Sequence, residues 1–77
     1  MSIDQWSTEP IYRQLAAILR ARIDSGQYAP GQKLPSEPTL QQEYGIARDT
    51  VRAAIRLLRD EGRVVTLSGR GTYVRPE

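Results

Sequence analysis

The sequence predicts a small, mainly α-helical domain in which three helices precede a two-stranded β-hairpin. Three observations support this prediction. Apolar residues recur at helical spacing in two long segments. Proline, glycine and serine interrupt the chain between the segments. Two β-prone runs flank a glycine-rich stretch near the C-terminus. With 77 residues, of which 39% are hydrophobic, the chain can form one domain with a modest core.

The first helix is predicted to begin near Pro10, because a proline in the first turn loses no helical hydrogen bond. Ser25-Gly26 ends it. Its apolar residues follow at helical spacing: Ile11, Leu15, Ile18, Leu19 and Ile23. Pro30-Gly31 then forms the centre of a type II turn. A short strand is expected at residues 33–34, since the residue before a proline favours extended backbone.

The second helix is predicted to be short. Ser36 is a good N-cap for it, and Gly45 breaks it after Tyr44. The third helix is predicted from Arg48 to Glu61, with Gly62 as a left-handed stop. The second and third helices therefore form a helix-turn-helix.

A hairpin is predicted over residues 64–75, with a flexible tip at residues 68–71, because β-prone residues flank the glycine-rich stretch there. The complete fold is a three-helix winged helix-turn-helix. Residues 1–8 are expected to form a loosely held arm, and residues 9–77 the domain itself.

Arginines occupy one face of the third helix. At about 100° per residue they cluster on that face, whereas apolar residues line another. The arginines are Arg48, Arg52, Arg56 and Arg59. Residues 45–76 carry a net charge of +4, from seven arginines and three carboxylates, whereas residues 1–44 carry −1. This basic end is the predicted polyanion face. Arginine also suits forked recognition of phosphate or guanine.

Composition excludes several classes of function. The sequence contains no cysteine and no histidine, which excludes disulfides, thiolate zinc sites and nucleophiles activated by histidine. No apolar run approaches the roughly 20 residues that cross a bilayer. Asp60-Glu61 is a carboxylate pair, but it lies at a helix end and is interpreted as surface charge. We therefore expect a cytoplasmic protein that is not an enzyme and needs no metal or cofactor.

Short motifs occur in a characteristic order along the chain. They are Pro10-Ile11-Tyr12, Ser25-Gly26, Pro30-Gly31, Leu34-Pro35-Ser36-Glu37, Thr50-Val51-Arg52, Leu58, Glu61-Gly62 and Gly69-Arg70-Gly71-Thr72-Tyr73-Val74. With these motifs, residues 10–74 resemble the N-terminal winged-helix domain of the GntR family of bacterial transcriptional regulators. The resemblance implies a DNA-binding module of a repressor or an activator, with a repressor expected, that acts as a dimer on a pseudo-palindromic operator. It also implies a C-terminal effector domain, which this chain lacks. We therefore expect an excised DNA-binding domain, and the alternative is an unusually short member of the family.

The resemblance implies that the start of the third helix enters the major groove of DNA. Arg48 and Arg52 would then read bases, with Arg48 the best candidate for a base edge. Asp49 could accept a hydrogen bond from a cytosine amino group, or it could orient an arginine. Thr50 is either a DNA contact or a buried residue of the helix start.

Ser36 resembles the family's phosphate anchor, and the wing tip Gly69-Arg70-Gly71 is expected at the minor groove. The alternative is that the two glycines serve the turn alone. Two departures from the family pattern, Pro38 for an arginine and Ala47 for a serine or threonine, predict altered operator preference or weaker binding by the monomer. The alternative function is a winged helix that docks an acidic protein partner.

Overall fold

The computed structural model describes residues 3–76 and confirms the predicted fold of three helices and a hairpin. The elements are α1 (Ile11–Asp24), α2 (Glu37–Tyr44), α3 (Arg48–Asp60), β1 (Val64–Leu67) and β2 (Gly71–Val74). Four boundaries differ by one residue from the prediction. Pro10 is the N-cap of α1 and not part of its first turn, and β2 ends at Val74 and not at residue 75. Glu61 is the C-cap of α3 and not its last residue. Gly71 belongs to β2 and not to the tip, because it pairs with Leu67.

α1 packs along α3 and is tied to it at the surface. The guanidinium of Arg20 donates to both carboxylate oxygens of Glu61, from Nε over 2.9 Å and from Nη2 over 2.7 Å. A second ion pair joins Arg63, just before β1, to Asp24 at the end of α1. Both pairs connect residues about 40 positions apart in the sequence, so they help to fix α1 against the later part of the chain.

The turn between α2 and α3 follows from local chemistry. Ser36 caps α2, and its Oγ accepts a hydrogen bond from the Thr39 amide over 3.3 Å. Gly45 closes the helix in the left-handed conformation, with φ of +65°, which glycine adopts at little cost. Ala47 occupies the N-cap position of α3, where its side chain accepts no hydrogen bond. The start of α3 therefore lacks the side-chain cap that α2 has.

The hairpin is hydrogen-bonded to the chain on both sides of β2. On one side Val64 lies opposite Val74 in the antiparallel pair with β1. On the other, Lys33 forms a bridge with Tyr73, and the Leu34 amide donates to the Thr72 carbonyl over 2.9 Å. The strand predicted at residues 33–34 is therefore reduced to a single isolated bridge at Lys33, because of these two residues only Lys33 forms a bridge with β2.

The predicted turn before that segment is also present. The Gln32 amide donates to the Ala29 carbonyl over 2.9 Å, and Gly31 has φ of +81°. This positive φ at the third turn position is the type II geometry that a Pro-Gly pair favours.

A single hydrophobic core lies between the three helices and the hairpin. Its largest fully buried side chains come from α1, α2, α3 and β1: Leu15, Leu19, Leu40, Val51, Leu58 and Val64. Val74 of β2 is also buried. Because every helix and strand contributes a side chain to this core, the core fixes the position of the hairpin relative to α3.

The described part of the predicted arm is hydrogen-bonded to α1 at one residue, Asp4. The Gln14 side chain accepts from the Asp4 amide over 2.7 Å and donates to the carbonyls of Asp4 and Glu9. Trp6, in contrast, is 96% exposed. Met1 and Ser2 of the arm, and Glu77 of the domain, lie outside the described residues. None of the helices in residues 3–76 is long and apolar enough to cross a membrane.

Candidate nucleic-acid interface

The start of α2, the side of α3 that bears the arginines and the hairpin meet on one side of the molecule. A cleft of about 370 Å³ separates the start of α2 from the hairpin, and Ile55 of α3 lies in its wall. A second, smaller cleft of about 260 Å³ lies between α3 and the hairpin. Glu37 lines both clefts. We call this side of the molecule the arginine face.

Arg48 and Arg52 lie one helical turn apart at the start of α3 and share one acidic partner. The Nε of Arg52 donates to Oε1 of Glu37 over 3.3 Å, and the Nε of Arg48 lies 3.5 Å from the same oxygen. More than half of each arginine side chain is exposed, at 61% and 52% respectively. Exposed ion pairs contribute only about 0–1 kcal/mol, so Glu37 orients the two arginines without locking them.

Asp49 and Thr50 differ in exposure although they are neighbours on α3. Asp49 is exposed, and within residues 3–76 no ion pair joins it to an arginine. The arginine-orienting contact in this structure comes from Glu37 instead. Thr50 is half-buried, and its backbone amide donates to the Ala47 carbonyl in the first turn of the helix over 3.1 Å.

Ser36 is exposed at the start of α2, where its hydroxyl caps the helix. The Ser36 Oγ also lies 2.8 Å from Oγ1 of Thr39, and either hydroxyl can be the donor. When Thr39 donates, the Ser36 hydroxyl hydrogen is free for an acceptor outside the protein. Capping and phosphate binding by Ser36 are therefore compatible.

The hairpin tip is a tight turn with an exposed arginine. The Arg70 amide donates to the Leu67 carbonyl over 3.0 Å. Gly69 and Gly71 have φ of +73° and +123°, in the range that favours glycine. Both glycines therefore have a conformational reason to be present, whichever surface the tip approaches. Gly71 also leaves room for a neighbour, because a Cβ there would lie 2.8 Å from the Cε of Lys33.

The two later arginines of α3 lie beside the hairpin. Nη1 of Arg59 donates to Oγ1 of Thr66 over 3.5 Å. Arg56 and Arg59 both line the cleft between α3 and the hairpin. They belong to the arginine face but lie further along α3 than Arg48 and Arg52, the predicted base readers.

Sequence reasoning missed two residues of this face, Glu37 and Lys33. Glu37 enters the sequence analysis only as part of a motif, although it meets two arginines 11 and 15 positions later. Lys33 was noted only for its extended backbone, although it is the single lysine of the chain. The signal available in the sequence was the presence of these charges beside the Leu34-Pro35-Ser36 motif.

A family model described as "Bacterial regulatory proteins, gntR family" matches residues 11–74. Curated relatives agree with this match. The mannosyl-D-glycerate transport/metabolism system repressor MngR of Escherichia coli K12 is 44% identical over 69 residues, which cover 90% of this chain and 29% of MngR. The transcriptional repressor NagR of Bacillus subtilis 168 is 42% identical, over 96% of this chain and 30% of NagR. The chain thus spans less than a third of these relatives.

Solved structures share the fold. YtrA from Sulfolobus acidocaldarius, a GntR-family transcription factor, superposes with a TM-score of 0.90 at 38% identity, over 99% of this chain and 80% of that one. The DNA-binding domain of AraR, solved in complex with an operator, gives a TM-score of 0.87 at 33% identity, over 96% and 92% of the two chains. The chain belongs to the GntR family of bacterial regulatory proteins, and its three helices and hairpin are a winged helix-turn-helix of the kind found in that family.

Proposed function

We propose that this domain binds double-stranded DNA with sequence preference. We propose further that it is the DNA-binding part of a bacterial transcription regulator that acts as a repressor. The observation that carries the proposal is the arginine face, where exposed guanidinium groups of α3 and of the hairpin tip lie on one side of a rigid core. The AraR domain that is similar in fold was solved with an operator, and MngR and NagR are named as repressors.

The start of α3 is the element proposed to enter the major groove. Arg48 and Arg52 are the proposed base readers, because the forked donors of arginine match O6 and N7 of guanine. One such bidentate contact discriminates against a wrong base by about 1–3 kcal/mol. Asp49 stands between the two arginines in sequence and is proposed to accept from a cytosine amino group. Thr50, half-buried, is proposed to approach DNA only with its exposed part.

The flanking elements are proposed to hold the DNA backbone. The Ser36 hydroxyl and the free amides at the start of α2 favour a phosphate. The hairpin tip is proposed to approach the minor groove, where Arg70 would be attracted by the strongly negative potential of a narrow groove. Gly69 and Gly71 keep the tip free of side chains that would separate its backbone from DNA.

The longer regulator is proposed to act as a homodimer on a pseudo-palindromic operator. The relatives are about three times longer than this chain, which leaves room in them for a second domain. Two arginine faces related by a two-fold axis would meet two half-sites, and the spacing of the half-sites would follow from the dimer. A regulator of bacterial genes would act in the cytoplasm.

Selection of bound sequences from random duplexes tests the proposal directly. We expect recovery of paired half-sites. We also expect affinity to fall by about 10³–10⁵ between 50 and 200 mM salt if a dimer makes 6–10 phosphate contacts. A protein-docking module would bind no duplex with salt-sensitive affinity, and that result would overturn the proposal.

A further inference from the structure

Lys33 is held beside the hairpin by backbone contacts that do not involve its side chain. Its bridge with Tyr73, and the bond from the Leu34 amide to the Thr72 carbonyl over 2.9 Å, fix the main chain on both sides of the residue. The side chain then crosses Gly71, where an added Cβ would lie 2.8 Å from Cε and 3.5 Å from Nζ. The absence of a side chain at Gly71 is what permits this path.

The Lys33 ammonium is exposed and uncompensated. Within residues 3–76, no carboxylate lies within the 4.0 Å of an ion pair with it. A lysine with a structural role at a surface usually pairs with a carboxylate or covers apolar area. Lys33 has no such partner, and its stem lies over a glycine.

The cleft between the start of α2 and the hairpin combines an apolar wall, which includes Leu34, Pro38 and Ile55, with polar groups that suit an anion. Its polar lining combines two cations with hydroxyl groups, and the residues include Lys33, Ser36, Glu37, Thr66, Arg70 and Thr72. Among these the one carboxylate, on Glu37, accepts a hydrogen bond from Arg52 and lies near Arg48. Its negative charge is therefore directed towards α3, which leaves the cations of the cleft available for an outside ligand.

The cleft lies where the backbone of a bound duplex has to pass. In the proposed function, the start of α3 lies in the major groove and the hairpin tip at the minor groove. One sugar-phosphate strand separates those two grooves, so it crosses the protein between α3 and the tip. The cleft opens beside that path, between the start of α2, which bears Ser36, and the hairpin, which bears Arg70.

We propose that this cleft receives one phosphate of the DNA backbone, and that Lys33 is the residue that neutralises it. The inference rests on the proposed function and deepens it by adding a backbone contact on the extended segment before α2. Lysine binds phosphate as a flexible point charge, so Lys33 would contribute affinity without reading sequence. Gly71 has a second role in this site, because it gives the Lys33 stem its route across the hairpin.

The test is Lys33→Gln in the whole chain, measured on the selected duplex and on random duplex across a salt series. We expect the variant to lose affinity by the same factor on both DNAs, and its salt slope to fall by about 1 for each Lys33 engaged. Lys33→Arg should retain most of the affinity. Folding should be unaffected, because the side chain of Lys33 makes none of the backbone bonds at this position.

Methylphosphonate linkages locate the contact, since each replaces one charged phosphate by a neutral group. The wild type should lose affinity when the phosphate facing the cleft is neutralised, whereas Lys33→Gln should lose less than the wild type at that position, because only the contacts of the other lining residues, such as Ser36 and Arg70, remain to be lost. Arg13→Gln is the matched control. It removes one exposed positive charge from α1, which lines neither cleft, so its effect should be much smaller.

The outcomes separate this inference from the proposed function. If the wild type binds duplex DNA with salt-sensitive affinity but Lys33→Gln behaves as Arg13→Gln does, the Lys33 site is wrong and DNA binding stands. Additive penalties of Lys33→Gln and methylphosphonate at every phosphate also overturn the site. If the wild type binds no duplex at any salt concentration, both proposals fail together.

Discussion

Arg52 of α3 donates a hydrogen bond from Nε to Oε1 of Glu37, the first residue of α2, over 3.3 Å. This contact joins the two helices of the helix-turn-helix at the surface proposed to meet DNA. A carboxylate at that place has two opposite effects. It repels nearby phosphates, and it holds Arg52 and Arg48 in a defined direction.

Glu37→Gln should therefore strengthen binding to random DNA and reduce the preference for the selected site. Removal of the negative charge lowers repulsion from the polyanion, whereas the loss of the ion pair leaves both arginines less well oriented. The measurement is the ratio of the two affinities at one salt concentration. Glu43→Gln serves as the control, because Glu43 pairs with Arg22 outside both clefts. A ratio equal to that of the wild type would exclude an orienting role for Glu37.

Arg48→Ala should weaken binding to the selected duplex much more than binding to random DNA. The expected loss of discrimination is about 1–3 kcal/mol, the value of one bidentate contact with guanine. Arg59→Ala should weaken binding to both DNAs about equally, because Arg59 lies beside Thr66 of the hairpin, far from the start of α3. Titrations of both variants on both DNAs decide this, and equal losses throughout would remove Arg48 as a base reader.

Ala47→Ser should stabilise the domain. Ala47 is the N-cap of α3 and makes no side-chain cap, so a serine hydroxyl would satisfy one of the free amides of the first turn. The expected gain is about 0.5–2 kcal/mol, measured as a higher free energy of unfolding in urea. Ala53→Ser, within the same helix, provides the contrast, because serine in a helix interior gives no such gain. Equal behaviour of the two serine variants would show that the missing cap has no energetic consequence.

Part of the acid sensitivity of the fold should come from Glu61. The hydrogen bonds from Arg20 hold the pKa of Glu61 below its ordinary value. A carboxylate with a lowered pKa in the folded state stabilises the protein above its unfolded pKa, and this contribution is lost as the pH falls through the folded pKa. Between pH 7 and about pH 3, the wild type should therefore lose more stability than Glu61→Gln.

The effect should be modest, because the side chains of Arg20 and Glu61 are about one-third exposed, at 29% and 33%. Urea unfolding of both proteins at several pH values measures it. Glu9→Gln controls for the general loss of a carboxylate, since Glu9 is exposed and forms no ion pair within the described chain. Parallel pH profiles for the wild type and Glu61→Gln would contradict the prediction.

The bounds of the helices and strands could be read from the sequence because their signals are local. Ser36 at an N-cap, Gly45 at a C-cap and Pro30-Gly31 in a turn act within four residues of their own position. The arginine face of α3 was predictable for the same reason, since helical periodicity alone places its members together. Helix ends are defined only to within one or two residues by different criteria, and the differences at Glu61 and Gly71 are of that size.

The partners of the charged side chains could not be predicted in this way. Glu37 meets Arg52 because of the angle at which α2 packs on α3, and Lys33 crosses Gly71, 38 positions later, because Lys33 is bridged to β2. Both contacts depend on tertiary packing, for which a single sequence carries no periodic signal. The candidate site therefore gained two members from the structure, whereas the residues predicted for it were found on or near the same face.

The bonding of β2 on both of its edges limits how the hairpin can adapt to a binding surface. Because β2 is paired with β1 on one edge and bridged to Lys33 on the other, it cannot move independently of the rest of the domain. Adjustment to grooves of different width then falls on the three residues that join the strands, Ser68, Gly69 and Arg70. The two paired strands would then keep their position on the domain, and only the turn between them would change its conformation.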